Sequence, residues 1–120
     1  MDSCDEEDEP VIQSGTGELS SGTAVGGGGT VLGAAGTWTL NTGSGDRSYR
    51  TPDIAFPQPF QQTPVVVLSL AGIDAGNQFN IRVRLAAEDV QADEFNIRVS
   101  TWADTVIHAV WVTWVAHDGA

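Results

Sequence analysis

Two short segments in the second half of the chain alternate strictly between apolar and polar residues, and this pattern restricts the fold most. In Asn80–Leu85 and Phe95–Ser100 the apolar side chains lie on one face of an extended strand. Arg82 and Arg84 therefore point outward from the first segment. Its inward side chains are Ile81, Val83 and Leu85. Val65–Leu70 is a continuous apolar run with only Ser69 interrupting it, typical of a buried strand. Short strands without helical periodicity predict an all-β sandwich.

The 120 residues suit a single domain preceded by a charged tail. Six acids among the first nine residues make residues 1–10 an acidic tail, which leaves residues 11–120 as the domain. From Ser14 to Gly45 the chain is rich in Gly, Ser and Thr, which indicates turns between short strands. The strands predicted in this half lie around Val11–Gln13, Thr30–Leu32 and Thr37–Leu40.

The charge of the chain excludes several classes of partner. A formal net charge of -11 repels the phosphates of nucleic acid and of anionic membranes.

No apolar run approaches the ~18 residues of a membrane span, so membrane insertion is not expected. The acidic N-terminus is unlike a signal peptide. The expected location is the cytoplasm or a virion-like particle, with secretion by a non-classical route left open.

The last predicted strand, Val106–Val115, is apolar on both faces. One face carries His108 and Trp114, and the other carries Trp111. A sandwich offers one core to each strand, so two explanations remain open. Either the strand is central and both of its faces are covered, or its second face packs against another subunit. A tryptophan on each face favours the second explanation.

No pattern in the sequence supports catalysis. His108 and His117 have no companion ligand at metal-binding spacing, and no Gly-x-Ser-x-Gly motif is present. The acids Glu88, Asp89, Asp93 and Glu94 are interpreted as solvated turn residues. We therefore expect no enzyme activity, no metal and no cofactor.

Five segments, in order and spacing, resemble the H-type lectins, the family of snail agglutinins and discoidin C-terminal domains. These segments are Ile12–Gly15, Ile54–Phe56, Pro64–Leu70, Asn80–Val83 and Thr101–Thr105. The resemblance implies a six-stranded antiparallel β-sandwich that assembles as a homotrimer. It also implies binding of galactose or N-acetylgalactosamine in shallow sites where two subunits meet.

The resemblance further implies which residues contact the sugar. By position they are Gly43, Asp46, Arg82, Trp102 and His108. Arg82 matches the sugar-binding arginine, and Trp102 matches a tryptophan from the adjacent subunit. Ala103 departs from the family, whose agglutinins carry a sugar-contacting histidine there. The first hypothesis is a galactose-type lectin. The alternative is a structural or adhesion component of a larger particle, such as a phage head spike or fibre tip.

Overall fold

The computed structural model describes residues 12–20, 30–31 and 38–118, which form eight strands. The strands are β1 (Ile12–Ser20), β2 (Thr30–Val31), β3 (Arg47–Arg50), β4 (Ile54–Ala55), β5 (Val65–Ala75), β6 (Arg84–Glu88), β7 (Glu94–Thr101) and β8 (Ile107–His117). Six of them are four residues or longer, whereas β2 and β4 have two residues each. The resemblance implied six strands. Within the described ranges no helix has the length and apolar character needed to cross a membrane.

The first sheet, sheet I, has the strand order β2-β1-β8-β5. β8 lies at its centre and pairs antiparallel with β1 on one side and with β5 on the other. The short contact between β1 and β2 is parallel. β5 is therefore an edge strand of sheet I, and its pairing with β8 shifts register twice. Such bulges bend a strand and discourage pairing at its free edge.

The second sheet, sheet II, is organised around β7. β6 pairs antiparallel with one edge of β7, while β3 and β4 pair in succession with the other edge. Alternation along β7 sends Phe95, Ile97 and Val99 into the core at 0% exposure. The intervening residues of β7 face outward. The all-β sandwich predicted from periodicity is thus confirmed, with the core between the two sheets.

An aromatic cluster joins the two sheets. Trp114 from β8 contacts Phe95 from β7 and Phe56, with ring centroids 5.2 and 5.7 Å apart. Phe56 also stacks on Phe95 at 5.1 Å and meets Phe60 edge-on at 5.0 Å. Offset and edge-to-face pairs of this kind each add about 0.5–1.5 kcal/mol beyond the area that they bury.

Several of the strand predictions need correction. β1 continues through Gly15 and Gly17 to Ser20, where turns were predicted. Trp38 to Leu40 form no strand. The segment predicted to begin at Asn80 becomes a strand only at Arg84, and Ile81 is 55% exposed rather than inward. Residues 1–11, which include the acidic tail, and residues 21–29, 32–37 and 119–120 lie outside the described residues.

β5 is not buried on both faces, as its apolar run had suggested. Val66 and Leu68 pack against the core, whereas Val65 and Val67 are exposed. The reason is topological, because each strand of a two-sheet sandwich has only one face toward the core. Ala71, an extra residue in the β5–β8 pairing, then reverses the phase, so that Ile73 packs against the core.

The doubly apolar β8 is the central strand of sheet I, and its core face carries Val110, Val112, Trp114 and Ala116. The prediction that His108 lies on the same face of the strand as Trp114 is wrong. Asp74 pairs with Ala109 and Ala75 pairs with Ile107, so His108 is an extra, bulged residue. The bulge turns Ile107 into the core and leaves His108 exposed.

The outer face of sheet I is open at one end. Cross-strand partners place Ile12 and Val65 beside His117, and Val67 beside Val115. Ile12, Val65, Val67 and Val115 are all exposed. We call these four residues the valine face. At the other end of the same face Glu18 and Ser20 are fully buried. The two faces of β8 are therefore not equally covered among the described residues.

We predict that Gly15 on β1 is required by the indole of Trp114. A Cβ atom at position 15 would lie 2.6 Å from Cζ2 of that ring, which is locked in the aromatic cluster. Gly15→Ala should lower the free energy of unfolding by about 1–3 kcal/mol in urea titrations, the usual cost of overpacking. Gly76→Ala is the control, because its Cβ would meet Val106 at an ordinary 3.4 Å. Equal stability of the two variants would contradict this packing.

Candidate functional site

Three connections meet at the end of sheet II where β3 and β6 begin and β7 ends. They are the loop before β3, the segment between β5 and β6, and the turn between β7 and β8. A cavity of about 460 Å³ lies there, within the ~300–1,000 Å³ of small-ligand sites. Its lining residues are Asp46, Arg47, Ser48, Arg84, Ser100, Thr101 and Trp102.

The sheet register explains why these side chains converge. Ser100 on β7 is the direct partner of Ser48 on β3 and of Arg84 on β6. The three residues therefore form one row across the outer face of sheet II, since paired residues point to the same side. Asp46 precedes β3 and Trp102 follows β7, so both lie at the end of this row.

Arg84 and Asp46 are the uncommitted charges of the cavity. The guanidinium carbon of Arg84 lies 5.5 Å from the ring centroid of Trp102, a cation–π geometry. Among the described residues, neither Arg84 nor Asp46 has a hydrogen-bond or ion-pair partner. The cavity thus presents an exposed carboxylate, a guanidinium and an indole that is 37% exposed.

The structure brings together two of the five residues that the resemblance implied, Asp46 and Trp102. Both belong to one chain, although the resemblance implied that Trp102 comes from the adjacent subunit. Gly43 lies in the same loop as Asp46 with φ at 71°, and it does not line the cavity. The space beside its Cα is open, since a side chain there would meet no atom within 4 Å of its Cβ. His108 is exposed on β8 and does not line the cavity either.

Arg82, which the resemblance implied as the sugar-binding arginine, is engaged elsewhere. Its Nη1 donates to Oδ1 of Asp104 at 2.9 Å and to Oγ1 of Thr105 at 3.0 Å. Because the strand begins four residues later than predicted, at Arg84 instead of Asn80, Arg84 is the arginine that faces the cavity. The outward phase of Arg84 was visible in the sequence, but its row with Ser48 and Ser100 depends on register and was missed.

The comparisons with known proteins agree with this architecture. The H-type lectin domain matches residues 51–117, more than half of the chain. The chain belongs to the H-type lectin domain family. The match includes Arg84 and Trp102 and stops short of Asp46, which lies upstream of the matched segment.

Two solved structures share the fold of this H-type lectin domain. Recombinant discoidin II of Dictyostelium discoideum has a TM-score of 0.71 and 20% identity, over 92% of this chain and 38% of that one. Wild-type discoidin II gives 0.70 and 20%, over 92% and 37%. A protein of Fuscovulum blasticum, described as "ATP synthase subunits region ORF 7", is 40% identical over 75 residues. These residues are 62% of this chain and 64% of that relative.

A second cluster of charges lies beside the cavity on the outer face of sheet II, where Arg98 also donates to the lining residue Ser48 at 2.8 Å. Arg98 bonds Glu88 at 2.8 Å, and Arg50 bonds Asp89 and Asn96. Glu94 is close to Asp53 instead. Burial, followed by the charge and hydrogen bond of Asp53, raises the pKa of Glu94 above its ordinary value of 4.5. In the part of the chain that the structure describes, no three acids, histidines or cysteines are placed to hold a metal.

We predict that Glu94→Gln raises the melting temperature at pH 7. A raised folded-state pKa means that the folded protein binds the proton more tightly than the unfolded chain does. The stabilisation from this proton is complete below pH 4.5 and is lost as the pH rises through the raised pKa. Glutamine removes the repulsion, so its advantage should shrink toward pH 4 in melts across a pH series. Glu88→Gln, which removes a partner of Arg98, should instead lower the melting temperature at pH 7.

Proposed function

We propose that this H-type lectin domain binds a galactose or N-acetylgalactosamine type sugar in the cavity and catalyses no reaction. The observation that carries the proposal is the meeting of Asp46, Arg84 and Trp102 in one open cavity. Sugar recognition needs an acceptor for hydroxyl hydrogens, a donor to hydroxyl oxygens and a flat apolar surface. These three side chains supply one of each.

Each group has a distinct role in the proposed complex. The carboxylate of Asp46 accepts hydrogen bonds from one or two sugar hydroxyls, and the guanidinium of Arg84 donates to hydroxyl oxygens. The indole of Trp102 packs against the C–H face of the ring. Charge-assisted hydrogen bonds of this kind contribute about 1.5–3 kcal/mol each. The hydroxyls of Ser48 and Ser100 lie in the same row as Arg84. The Ser48 hydroxyl accepts from Nη1 of Arg98 at 2.8 Å, so its own proton is what it can offer to a sugar oxygen.

Two arginines compete for the role of sugar ligand, and their surroundings separate them. Arg82 matches the family position, but its guanidinium bonds Asp104 and Thr105. Arg84 matches no family position, but it lines the cavity beside Trp102. We propose Arg84 as the direct ligand and Arg82 as the residue that ties the turn after β7 to the segment before β6. Gly43 and His108 are not among the ligands proposed here, because neither lines the cavity.

We predict that Arg84→Gln weakens sugar binding at least ~10-fold, equivalent to ~1.4 kcal/mol, without changing the melting temperature. A glycan array identifies a bound sugar, and calorimetry then measures its affinity for each variant. Asp46→Asn and Trp102→Ala should also weaken binding. Arg50→Gln is the matched control, since it removes the same charge from the same sheet face away from the cavity.

Arg82→Gln decides between the two arginines. It should lower the melting temperature through loss of the Asp104 pair while leaving most of the affinity. If Arg82→Gln abolishes binding while Arg84→Gln spares it, the family position holds and our assignment is wrong. If the wild type binds no sugar on the array, the proposed function itself fails.

We also propose that the protein assembles as a homotrimer through the valine face. The four side chains of that face lie together by register on the outer side of sheet I. A contiguous exposed apolar surface is a common mark of an interface. Trimers would display several cavities at once, which raises the working affinity of weak single sites through effective concentration. No observation on the described residues favours the alternative of a particle component.

We predict that Val67→Glu dissociates the oligomer, because burying an unpaired carboxylate between subunits is strongly unfavourable. Val67 is 54% exposed in the single chain, so the fold itself should survive the substitution. Light scattering measures the mass, and circular dichroism checks the fold. Ile81→Glu, at a residue 55% exposed outside the valine face, is the matched control. Dissociation by Ile81→Glu alone would place the interface at the cavity end instead.

A further inference from the structure

The guanidinium of Arg47, the first residue of β3, donates four hydrogen bonds, all of them to backbone carbonyls. Its Nε donates to the carbonyl of Gly45 at 3.0 Å. Its Nη1 donates to Thr42 at 2.9 Å and to Leu40 at 3.2 Å. Its Nη2 donates to Ala103 at 2.9 Å. A guanidinium presents five N–H groups in a fixed plane, so one side chain can serve all four acceptors.

These four carbonyls belong to two separate connections around the cavity. Leu40, Thr42 and Gly45 lie in the loop that carries Asp46, whereas Ala103 follows Trp102 in the turn after β7. The ladder between β3 and β7 ends at the pair Arg47–Thr101. Beyond that pair, Arg47 and the amide of Gly45, which donates to Ala103 at 2.9 Å, join the loop to the turn.

The backbone at both ends of this link adopts conformations that need support. Gly45 has φ at 82° and Ala103 has φ at 58°, in the left-handed region that alanine rarely occupies. The carbonyl of Ala103 accepts both links, from Arg47 and from Gly45. Such conformations persist where surrounding bonds over-determine them. Removing the guanidinium should therefore loosen the loop and the turn together.

We infer that Arg47 is a positioning residue, which fixes Asp46 and Trp102 on the two sides of the cavity before a sugar arrives. This inference rests on the proposed sugar site. All three nitrogens of the Arg47 guanidinium are engaged by backbone carbonyls, whereas the guanidinium of Arg84 has no hydrogen-bond partner among the described residues. Preorganisation raises affinity because the ordering of the loop is complete before binding.

Amide hydrogen exchange on the full chain without sugar tests the positioning directly. In Arg47→Gln the Gly45 amide should exchange at least ~10-fold faster, because local opening of the loop becomes easier. The amides of β7 and β8 should keep their protection. Arg47→Lys keeps the charge, but a single ammonium cannot reach four carbonyls that lie apart from one another. The Gly45 amide of this variant should therefore also exchange faster. Arg50→Gln, from the same strand, should leave Gly45 unchanged. Unchanged Gly45 exchange in Arg47→Gln overturns the inference.

Calorimetry with the sugar that the wild type binds completes the test. Arg47→Gln and Arg47→Lys should both lose affinity, although lysine retains the positive charge. If lysine restores full affinity while the Gly45 amide still exchanges fast, a charge effect operates and positioning is refuted. If the affinity falls with Gly45 protection intact, Arg47 contacts the sugar directly, which also refutes it. Faster Gly45 exchange in a protein whose wild type binds no sugar would support the link between loop and turn and overturn only the proposed function.

Discussion

The pairing of β8 on both of its edges is the constraint on which the molecule depends. β8 runs for eleven residues between β1 and β5, and its core face contributes Trp114 to the aromatic cluster that holds the two sheets together. The same pairing brings Val115 into line with Val67 on the outer face. A slip of one residue would exchange these two faces, because side chains alternate along a strand. The bulge at His108 shifts this phase by one residue and so places Ile107 in the core.

β7 is the central strand of sheet II and is paired on both edges, as β8 is in sheet I. Its inward residues Phe95, Ile97 and Val99 build the core, and its outward residue Ser100 lies in the row that floors the cavity. A rigid central strand therefore supports the cavity from below, while loops supply the charged and aromatic groups at its rim. Sites with variable ligand groups on a fixed scaffold are common, since loops tolerate change that a packed strand does not.

Periodicity in the sequence was sufficient for the fold class but not for the register. Strict alternation predicted β7 correctly, because one of its faces is fully buried and the other is polar. It failed at Asn80–Val83, where a strand-like pattern lies in a connection and Ile81 remains exposed. It also failed at His108, since a bulge adds a residue without any signal in the apolar pattern. Bulges and strand starts are set by tertiary pairing, which a single sequence does not display.

The candidate site was predictable only in part for a related reason. Asp46 and Trp102 were found by resemblance, and each occupies a loop position adjacent to a strand end. The roles of Arg84 and Arg47 were missed because they depend on partners far away in the chain. Arg84 meets Ser100 through the β6–β7 register, and Arg47 meets Ala103 across 56 positions. Contacts of this length leave no local trace in composition or spacing.

The exposure of Trp102 has a practical consequence for spectroscopy. The chain contains four tryptophans, of which Trp38 and Trp114 are buried and Trp111 is half-buried. Trp102 is the most exposed of the four, at 37%, and a guanidinium lies across its ring. Its emission should form the red edge of the intrinsic fluorescence and should be quenched first by small aqueous quenchers. A molecule that enters the cavity and displaces Arg84 from the indole would thus change the emission spectrum, without any attached label.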